Sequence, residues 1–397
     1  MAEGSGDIDN LPISLHQITI FLFHCTRFFD TLDWHLKNAE QSFIALLFVA
    51  FLYSWIMPLF FLLSGVGSWY SLKSRTGGKY LVERVKRLLI PLYIVGMLIL
   101  LPPQAYFDRI TNEGYTGTFW EQIPHYFSGL VSIDSQDLHD PSFLLPIPFS
   151  GHLWFLQYLF LISLMTLPLL LYLKSEQGQL LIERLAVWCD RRGGIFLFLI
   201  PLILVLVSLR SLFEGERTWA DFIYYMVFFV IGYLTPADKR FTEGFKRHIW
   251  ICLALGIVAF CGAFFIIGLL DYSYPGGESF SWIYVLFQIV ISTASWCWVV
   301  FILSLGARYL NFNNKVLAYS NEAVLPFYIF HQTIILLVGW FVIRWSMDIL
   351  PKYLIISVVS FVLIIALYEL LVRRINIVRF FFGMRPKKRL AKELSLS

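Results

Sequence analysis

The chain has 397 residues, of which 58% are hydrophobic, 18% aromatic and only 15% charged, and its formal net charge is +4. Soluble domains average roughly 45–50% apolar and about 25% charged residues. The composition therefore excludes an ordinary soluble protein, a disordered chain, a collagen and a coiled coil, and it predicts a polytopic membrane protein. No sequence feature indicates nucleic-acid binding.

Ten apolar stretches follow one another along the chain. A bilayer core of about 30 Å requires roughly 20 apolar residues per helix. The first stretch is short and contains His16 and Gln17. The sequence predicts an all-α fold of about ten transmembrane helices in a single domain, residues 1–397. The stretches are residues 13–30, 43–69, 88–103, 151–173, 194–213, 219–235, 248–270, 281–306, 322–346 and 353–372.

The distribution of Lys and Arg predicts the orientation of the chain. Of the 31 basic residues, 24 fall in alternate connecting segments and after the last stretch, and 7 fall in the other connections or at the ends of the stretches beside them. Because cytoplasmic segments are enriched in Lys and Arg, we expect both termini to be cytoplasmic. They form a short N-terminal tail, residues 1–12, and a basic C-terminal tail, residues 375–397. Residues 104–150 then form a long loop on the outer side.

The long outer loop is rich in aromatic side chains and carboxylates. Aromatic rings stack on sugar rings and carboxylates accept hydrogen bonds from sugar hydroxyls, so this composition favours a glycan ligand. An aromatic belt at the membrane interface explains it equally well. The residues concerned are Tyr106, Phe107, Asp108, Tyr115, Trp120, His125, Tyr126, Phe127, Asp134, Asp137 and Asp140.

Two histidines lie inside apolar stretches, where ionisable groups are costly and usually functional or paired. His24 and His331 are in the first and ninth stretches, at depths of roughly 13–16 Å from the cytoplasmic side. A neutral imidazole near the bilayer centre suits a general base, and a hydrogen bond to a neighbouring helix is the structural alternative. No metal site is expected, since neither histidine has another His or a carboxylate three or four residues away.

Arg84 and Arg87 are three residues apart at the cytoplasmic start of the third stretch, so a helix presents both on one face. Guanidinium groups suit phosphate binding, but an anchor for anionic membrane lipid is the simpler explanation. We expect Tyr80, Glu83 and Lys86 nearby to be ordinary solvated residues.

The sequence His-Leu-Trp-Phe-Leu, residues 152–156, opens the fourth stretch at the outer surface. It belongs there either to an aromatic belt or to the rim of a substrate site. Other short motifs accompany it in order along nearly the whole chain. They are residues 33–35, 38–40, 60–65, 84–91, 228–232, 310–312, 319–331 and 367–369.

Together these motifs resemble the membrane acyltransferase-3 family, and within it the branch that O-succinylates osmoregulated periplasmic glucans in bacteria. The resemblance implies a multi-pass acyltransferase of the bacterial inner membrane, surrounded by lipid, that transfers groups other than aminoacyl groups. It would move succinyl or acetyl from cytoplasmic acyl-coenzyme A to a hydroxyl of an extracytoplasmic glycan. By similarity, His24 is the catalytic histidine, and Arg84 and Arg87 bind the phosphates of coenzyme A. The substrate-binding residues that it implies are Trp34, His35, His152, Trp154 and His331.

One position departs from the family pattern. The family carries Arg or Lys eleven positions before the first-span histidine, where this chain has Ile13. The chain would then be weak or inactive, or use another cation, such as one from residues 73–87. The alternatives to an active enzyme are an inactive relative in a glycan-synthesis complex and a transporter of a glycan or glycolipid. Many transporters have repeated halves or paired Gly/Pro interruptions, which this sequence lacks.

Overall fold

The computed structural model describes residues 13–130, 138–147, 151–269, 280–309 and 315–386, without the side chains of residues 13–16 and 269. The N-terminal tail 1–12, Asp134, Asp137, the motif at 310–312 and residues 387–397 of the C-terminal tail lie outside the described residues, as does the side chain of Ile13. The described part of the chain is helical with irregular connections. Its α-helices are α1 (Ile13–Thr26), α2 (Phe43–Tyr53), α3 (Ile56–Lys73), α4 (Gly77–Arg84), α5 (Leu101–Asn112), α6 (Phe119–Gly129), α7 (Trp154–Leu173), α8 (Glu176–Asp190), α9 (Leu199–Leu209), α10 (Trp219–Leu234), α11 (Lys239–Arg247), α12 (Ile249–Leu269), α13 (Trp282–Tyr309), α14 (Lys315–Val342), α15 (Ile349–Leu367) and α16 (Asn376–Phe381).

Eight helical segments of the described chain are long and apolar enough to cross a membrane. Two shorter apolar helices, Gln17–Thr26 and Gly194–Leu209, correspond to the first and fifth predicted stretches. The structure thus confirms an all-α, multi-pass membrane fold. The eight longer segments are Phe43–Lys73, Gly77–Asn112, Gly151–Leu173, Trp219–Ala237, Ile249–Gly268, Trp282–Tyr309, Lys315–Val342 and Ile349–Val372.

The third span is longer than the predicted stretch 88–103 and is not a regular α-helix. Two π-helical segments, Val85–Leu89 and Pro91–Leu100, join α4 to α5. Pro91 has no amide hydrogen, so a regular α-helical ladder cannot be completed there, and π segments are frequent at functional sites. α5 carries the span on into the predicted outer loop 104–150, which also contains α6. The described part of that loop is therefore helical in three places, α5, α6 and a 3-10 helix at Pro141–Leu144, which its mixed polar and aromatic sequence did not indicate.

Helices α3 and α10 pack very closely against each other. A Cβ on Gly65 would lie 2.0 Å from the carbonyl oxygen of Phe229, and a Cβ on Gly232 would lie 1.9 Å from that of Leu62. Only glycine permits such an approach between helix backbones, and small residues are the usual means of close helix packing in membranes. This contact fixes α3, which lines the site described below.

Candidate active site

Three histidines from distant parts of the chain meet inside the helical body. His24 is on α1, His331 is on α14, and His152 is in the 3-10 turn before α7. The ring centroids of His24 and His331 are 4.9 Å apart, and those of His152 and His331 are 5.3 Å apart. His152, which was expected at the outer surface of the membrane, is 8% exposed, and Gln104 of α5 lies against its imidazole.

The three imidazoles differ in how they are held. His331 Nδ1 donates to the carbonyl oxygen of Tyr328, which leaves Nε2 as the accepting nitrogen. His152 Nε2 lies 3.3 Å from the carbonyl oxygen of Ile329. The half-buried ring of His24 forms no side-chain hydrogen bond to another described residue, and its Nδ1 is buried without a partner there. His24 is therefore the least anchored imidazole of the cluster.

Among the residues that the structure describes, no group of three or more His, Cys, Asp or Glu side chains could hold a metal ion. Metal sites need such ligands to converge with their lone pairs on one point. In the histidine cluster the rings of His24 and His331 are tilted and those of His152 and His331 meet edge-on. Two of the three rings direct one nitrogen toward a backbone carbonyl.

Trp34, in the loop between α1 and α2, lies against His24. The two rings are nearly parallel, with centroids 6.1 Å apart and an interplanar angle of 19°. Phe28 contacts the indole edge-on at 4.8 Å and itself packs onto Gly339 of α14, where a Cβ would lie 2.1 Å from its ring. The indole therefore covers one face of the His24 imidazole and is fixed by this aromatic packing.

His35, the next residue of the loop, pairs with a carboxylate. Its Nδ1 is 2.6 Å from Asp108 Oδ1 on α5, and Gln332 Nε2 on α14 lies 2.7 Å from its Nε2. Because an amide nitrogen can only donate, His35 Nε2 accepts and Nδ1 donates to Asp108. A carboxylate that fixes the tautomer and orientation of a histidine is a common feature of catalytic and binding sites.

A polar network links this pair to the buried histidines. Gln104 and Asp108 share one face of α5 because they are four residues apart. Gln104 Nε2 lies 3.0 Å from His152 Nδ1, and Gln332 Nε2 lies 3.3 Å from Gln104 Oε1. Sequence reasoning missed both glutamines. The spacing of Gln104 to Asp108 was the available signal, but it has no meaning until α5 is known to be a helix.

Buried charge holds the loop between α1 and α2 in place. Asp30 is 0% exposed, and its carboxylate accepts hydrogen bonds from Arg27 Nη1 and Lys37 Nζ, each over 2.7 Å. Burial lowers the pKa of Lys37, and the hydrogen bond to Asp30 opposes this shift. Lys352 Nζ on α15 donates to Asn38 Oδ1 over 2.8 Å. The loop is thus held together internally through Asp30 and joined to α15 through Asn38.

A cavity of about 490 Å³ lies between α3, α4, α7 and α14. Its wall carries a group of charged side chains together with apolar and aromatic ones such as Phe155, Leu156 and Tyr328. The ring of Tyr328 is 5.5 Å from that of His331, and its hydroxyl donates to the carbonyl oxygen of His152 over 2.8 Å. The cavity therefore adjoins the histidine cluster through Tyr328.

Arg84 and Arg87 both line this cavity. Arg84 Nη2 donates to Ser68 Oγ on α3 over 2.6 Å, and its guanidinium lies 4.9 Å from the ring centroid of Tyr80. The Tyr80 hydroxyl donates to the same Ser68 oxygen over 3.0 Å. The expectation that Tyr80 is solvated is wrong, since it is 1% exposed and packs beneath Arg84.

Glu83 is also not an ordinary solvated residue. It pairs with Arg75, with Arg87 at 3.4 Å and with Arg385 at 3.5 Å, and its side chain is only 23% exposed. Arg75 follows α3 and Arg385 belongs to the C-terminal tail, so the local pattern of the third span could not reveal either partner. Lys86 is exposed, as expected.

Trp154 lies apart from the histidine cluster. Its ring contacts are with Phe61 at 6.4 Å, Tyr158 at 5.1 Å and Tyr225 at 5.9 Å. These residues belong to α3, α7 and α10. The geometry therefore supports a packing role for Trp154 more directly than the substrate contact that the motif implied.

The aromatic residues of the predicted outer loop divide into packed and exposed ones. Tyr126 is 6% exposed and its hydroxyl donates to the carbonyl oxygen of Met97, and Phe107 is 5% exposed against Trp340. Trp120, on α6, is 78% exposed. Trp120, together with Phe127, which is 40% exposed, is therefore placed to contact either a sugar ring or the membrane interface.

A family model described as an acyltransferase domain matches residues 18–369. The chain belongs to this acyltransferase family. The matched range contains the histidine cluster, the polar network around His35 and the arginines of α4 and the π segment that follows it. The resemblance that the motifs indicated is thereby confirmed, and the protein is an acyltransferase.

Curated relatives of this acyltransferase carry the name glucans biosynthesis protein C. Three of them are 25% identical to it over 378 residues, which are 92% of this chain and 91% of each relative. No solved structure matches the chain. Family membership favours group transfer over the transporter alternative. The three relatives are from Salmonella agona (strain SL483), Salmonella paratyphi A (strain ATCC 9150 / SARB42) and Salmonella enteritidis PT4 (strain P125109).

Proposed function

We propose that this acyltransferase moves an acyl group, succinyl or acetyl, from cytoplasmic acyl-coenzyme A to a hydroxyl of a glycan on the outer side of the inner membrane. One observation carries the proposal. A single cavity is lined by Arg84 and Arg87 and also by Tyr328, which contacts the histidine cluster. A donor held there by its phosphates would reach Tyr328, whose ring lies against that of His331 in the cluster.

The charge of the cavity suits a polyphosphate donor. Four guanidinium groups and one carboxylate line it, and guanidinium groups bind phosphate oxygens through paired, charge-assisted hydrogen bonds. Coenzyme A carries several phosphate groups on one half and a flexible thiol-bearing arm on the other. Charged and apolar linings within one cavity match these two halves.

In the proposed reaction, His24 acts as the general base. Its imidazole takes the proton of the acceptor hydroxyl while the hydroxyl oxygen attacks the thioester carbonyl carbon. The carbon–sulfur bond then breaks, an ester is formed, and the proton passes from His24 to the departing thiolate, which gives free coenzyme A. His24 is assigned this role because the rings of His152 and His331 are anchored to backbone carbonyls and the ring of His24 is not.

The acceptor is proposed to approach past the loop between α1 and α2. Trp34 offers an aromatic face beside His24, and the paired His35 and Asp108 offer hydrogen-bonding groups next to it. Sugars are commonly held by such a combination. The relatives' name, glucans biosynthesis protein C, supports a glucan as the acceptor.

The proposal places both termini and the arginine group in the cytoplasm. It rests on the excess of Lys and Arg, 24 of 31, in the connecting segments and tail assigned to that side. Under this orientation α5, α6 and the loop between α1 and α2 face outward. Residues 1–397 then act as one membrane domain with a donor opening on one side and an acceptor opening on the other.

Calorimetric titration of the detergent-purified protein with acetyl- and succinyl-coenzyme A tests the donor assignment. We expect binding that weakens by about tenfold or more, or roughly 1.4 kcal/mol or more, when Arg84 and Arg87 are both replaced by Ala. The matched control replaces Arg191 and Arg192, two exposed arginines of another connecting segment. If the two double variants bind the donor with equal affinity, Arg84 and Arg87 are a lipid anchor instead.

A further inference from the structure

The segment after the last membrane span folds back onto the start of the third span. We call residues 376–386 the C-terminal segment. A Cβ on Gly383, whose φ is +67°, would lie 2.9 Å from the carbonyl oxygen of Arg87 and 3.0 Å from Pro91 Cγ, so glycine is required at this contact. Phe382 is 5% exposed, and its ring is 4.9 Å from that of Phe330. The C-terminal segment is thus packed against the helices of the donor site.

A buried arginine fixes the path of this segment. Arg379 is 5% exposed and forms an ion pair with Glu322 of α14 at 2.8 Å. Its Nε donates to the carbonyl oxygen of Arg385 over 2.8 Å, and its own carbonyl accepts from Met384 N over 2.8 Å. The backbone of Arg385 is therefore held in place by Arg379, which is itself paired with Glu322 of α14.

The side chain of Arg385 is, by contrast, 70% exposed and reaches the cavity. Its Nη2 lies 3.5 Å from Glu83 Oε1, and the residue lines the same cavity as Arg84 and Arg87. An anchored backbone with an accessible guanidinium is well suited to ligand binding, because little backbone freedom is lost on contact.

Glu83 draws the guanidinium groups together. Its carboxylate pairs with Arg75, Arg87 and Arg385, while Arg84 donates to Ser68. Four cations against one carboxylate leave a formal excess of three positive charges in the cavity lining. Like a phosphate group, a carboxylate is an anion that accepts paired hydrogen bonds from a guanidinium group. The Glu83 carboxylate therefore competes with a phosphate for the same guanidinium hydrogens.

We propose that the C-terminal segment is part of the donor site. Arg385 and Arg75 bind donor phosphate together with Arg84 and Arg87, and the Glu83 carboxylate holds Arg75, Arg87 and Arg385 until phosphate oxygens replace it. This inference rests on the proposed function. It also supplies cations for a chain that has Ile13 where the family has Arg or Lys.

The test is calorimetric binding of coenzyme A and of adenosine 3′,5′-bisphosphate to the purified full-length protein. Arg385→Ala should weaken both by about tenfold, the usual effect of one charged hydrogen-bonding partner. Arg374→Ala, which removes an exposed arginine outside the cavity, should leave both unchanged. Glu83→Gln should strengthen both by about three- to tenfold because the competing charge is lost, whereas the exposed Glu176→Gln should have no effect.

The outcomes separate this inference from the function on which it rests. Absence of coenzyme A binding by the unaltered protein contradicts the proposed function itself. Binding that is equal in Arg385→Ala and Arg374→Ala, or that weakens or stays unchanged in Glu83→Gln, contradicts only the inference. A further titration uses mixed micelles containing phosphatidylglycerol. Loss of lipid binding without loss of coenzyme A binding in Arg385→Ala would assign the arginine to lipid and overturn the inference.

Discussion

The imidazoles of His24 and His331 lie with their centroids 4.9 Å apart, although the two residues belong to the first and ninth predicted stretches. His331 has a fixed tautomer, with Nδ1 donating to the Tyr328 carbonyl and Nε2 buried without a partner among the described residues. A buried acceptor without a donor costs free energy. A buried acceptor nitrogen beside His24 suits a site at which a proton is transferred.

His331→Ala should lower kcat by roughly 10–100-fold while leaving the affinity for acyl-coenzyme A unchanged. A decrease in kcat of this size is expected for a residue that supports the reacting imidazole without itself reacting. Steady-state kinetics together with calorimetry measure the two quantities separately. A loss of donor affinity equal to the loss of rate would place His331 in the donor site instead.

Asp108→Asn should lower kcat/KM for the glycan, by roughly 10–100-fold. The Asp108 carboxylate accepts from His35 Nδ1, and an amide that turns its NH₂ toward the ring disturbs the tautomer set by Gln332. Glu113→Gln is the matched control, because Glu113 follows α5 and is 59% exposed in its pair with Arg109. If Asp108→Asn and Glu113→Gln behave alike, the His35 pair has no role with the acceptor.

Asp30→Asn should destabilise the protein by about 3–5 kcal/mol, because it leaves two cations without their buried carboxylate. Arg27 and Lys37 both donate to Asp30, which is 0% exposed. The exposed Asp33→Asn serves as the control. Thermal unfolding in detergent measures the difference, and equal melting temperatures for the two variants would show that the loop is held by other contacts.

Gly65→Ala should destabilise the pair α3 and α10 by about 1–3 kcal/mol, the usual cost of overpacking. The added methyl group would meet the carbonyl oxygen of Phe229 at 2.0 Å. Gly67→Ala, on the same helix with no neighbouring atom within 4 Å of an added Cβ, should be nearly neutral. A thermal shift assay that ranks Gly67→Ala as the more destabilising change would contradict this packing.

Hydropathy was sufficient to predict the membrane fold because the bilayer imposes both the length and the apolar character of its helices. It was less informative where a polar segment is helical. α5 was predicted as a loop, since Gln104 and Asp108 look like surface residues until their contacts with His152 and His35 are seen.

The site was predictable to the extent that its residues are costly in lipid. His24 and His331 are conspicuous because the sequence around them is apolar. Arg84 and Arg87 are conspicuous because they lie at the start of a predicted membrane helix. Glu83 looked unremarkable, because its partners Arg75 and Arg385 come from other parts of the chain. Long-range ion pairs of this kind have no local pattern. The burial of His152 was not predicted either, since Gln104 of α5, which lies against it, was expected in a loop.

Transfer of radiolabel from acetyl- or succinyl-coenzyme A to glucan by the purified protein would show whether His24 is the base of an acyl transfer. We expect labelled glucan with the unaltered chain and a rate lower by roughly 10²–10⁴-fold with His24→Ala, at unchanged donor affinity. The exposed His139→Ala is the control and should retain full activity. Undiminished transfer by His24→Ala would contradict the assigned base, and donor binding without any transfer by the unaltered protein would identify an inactive relative.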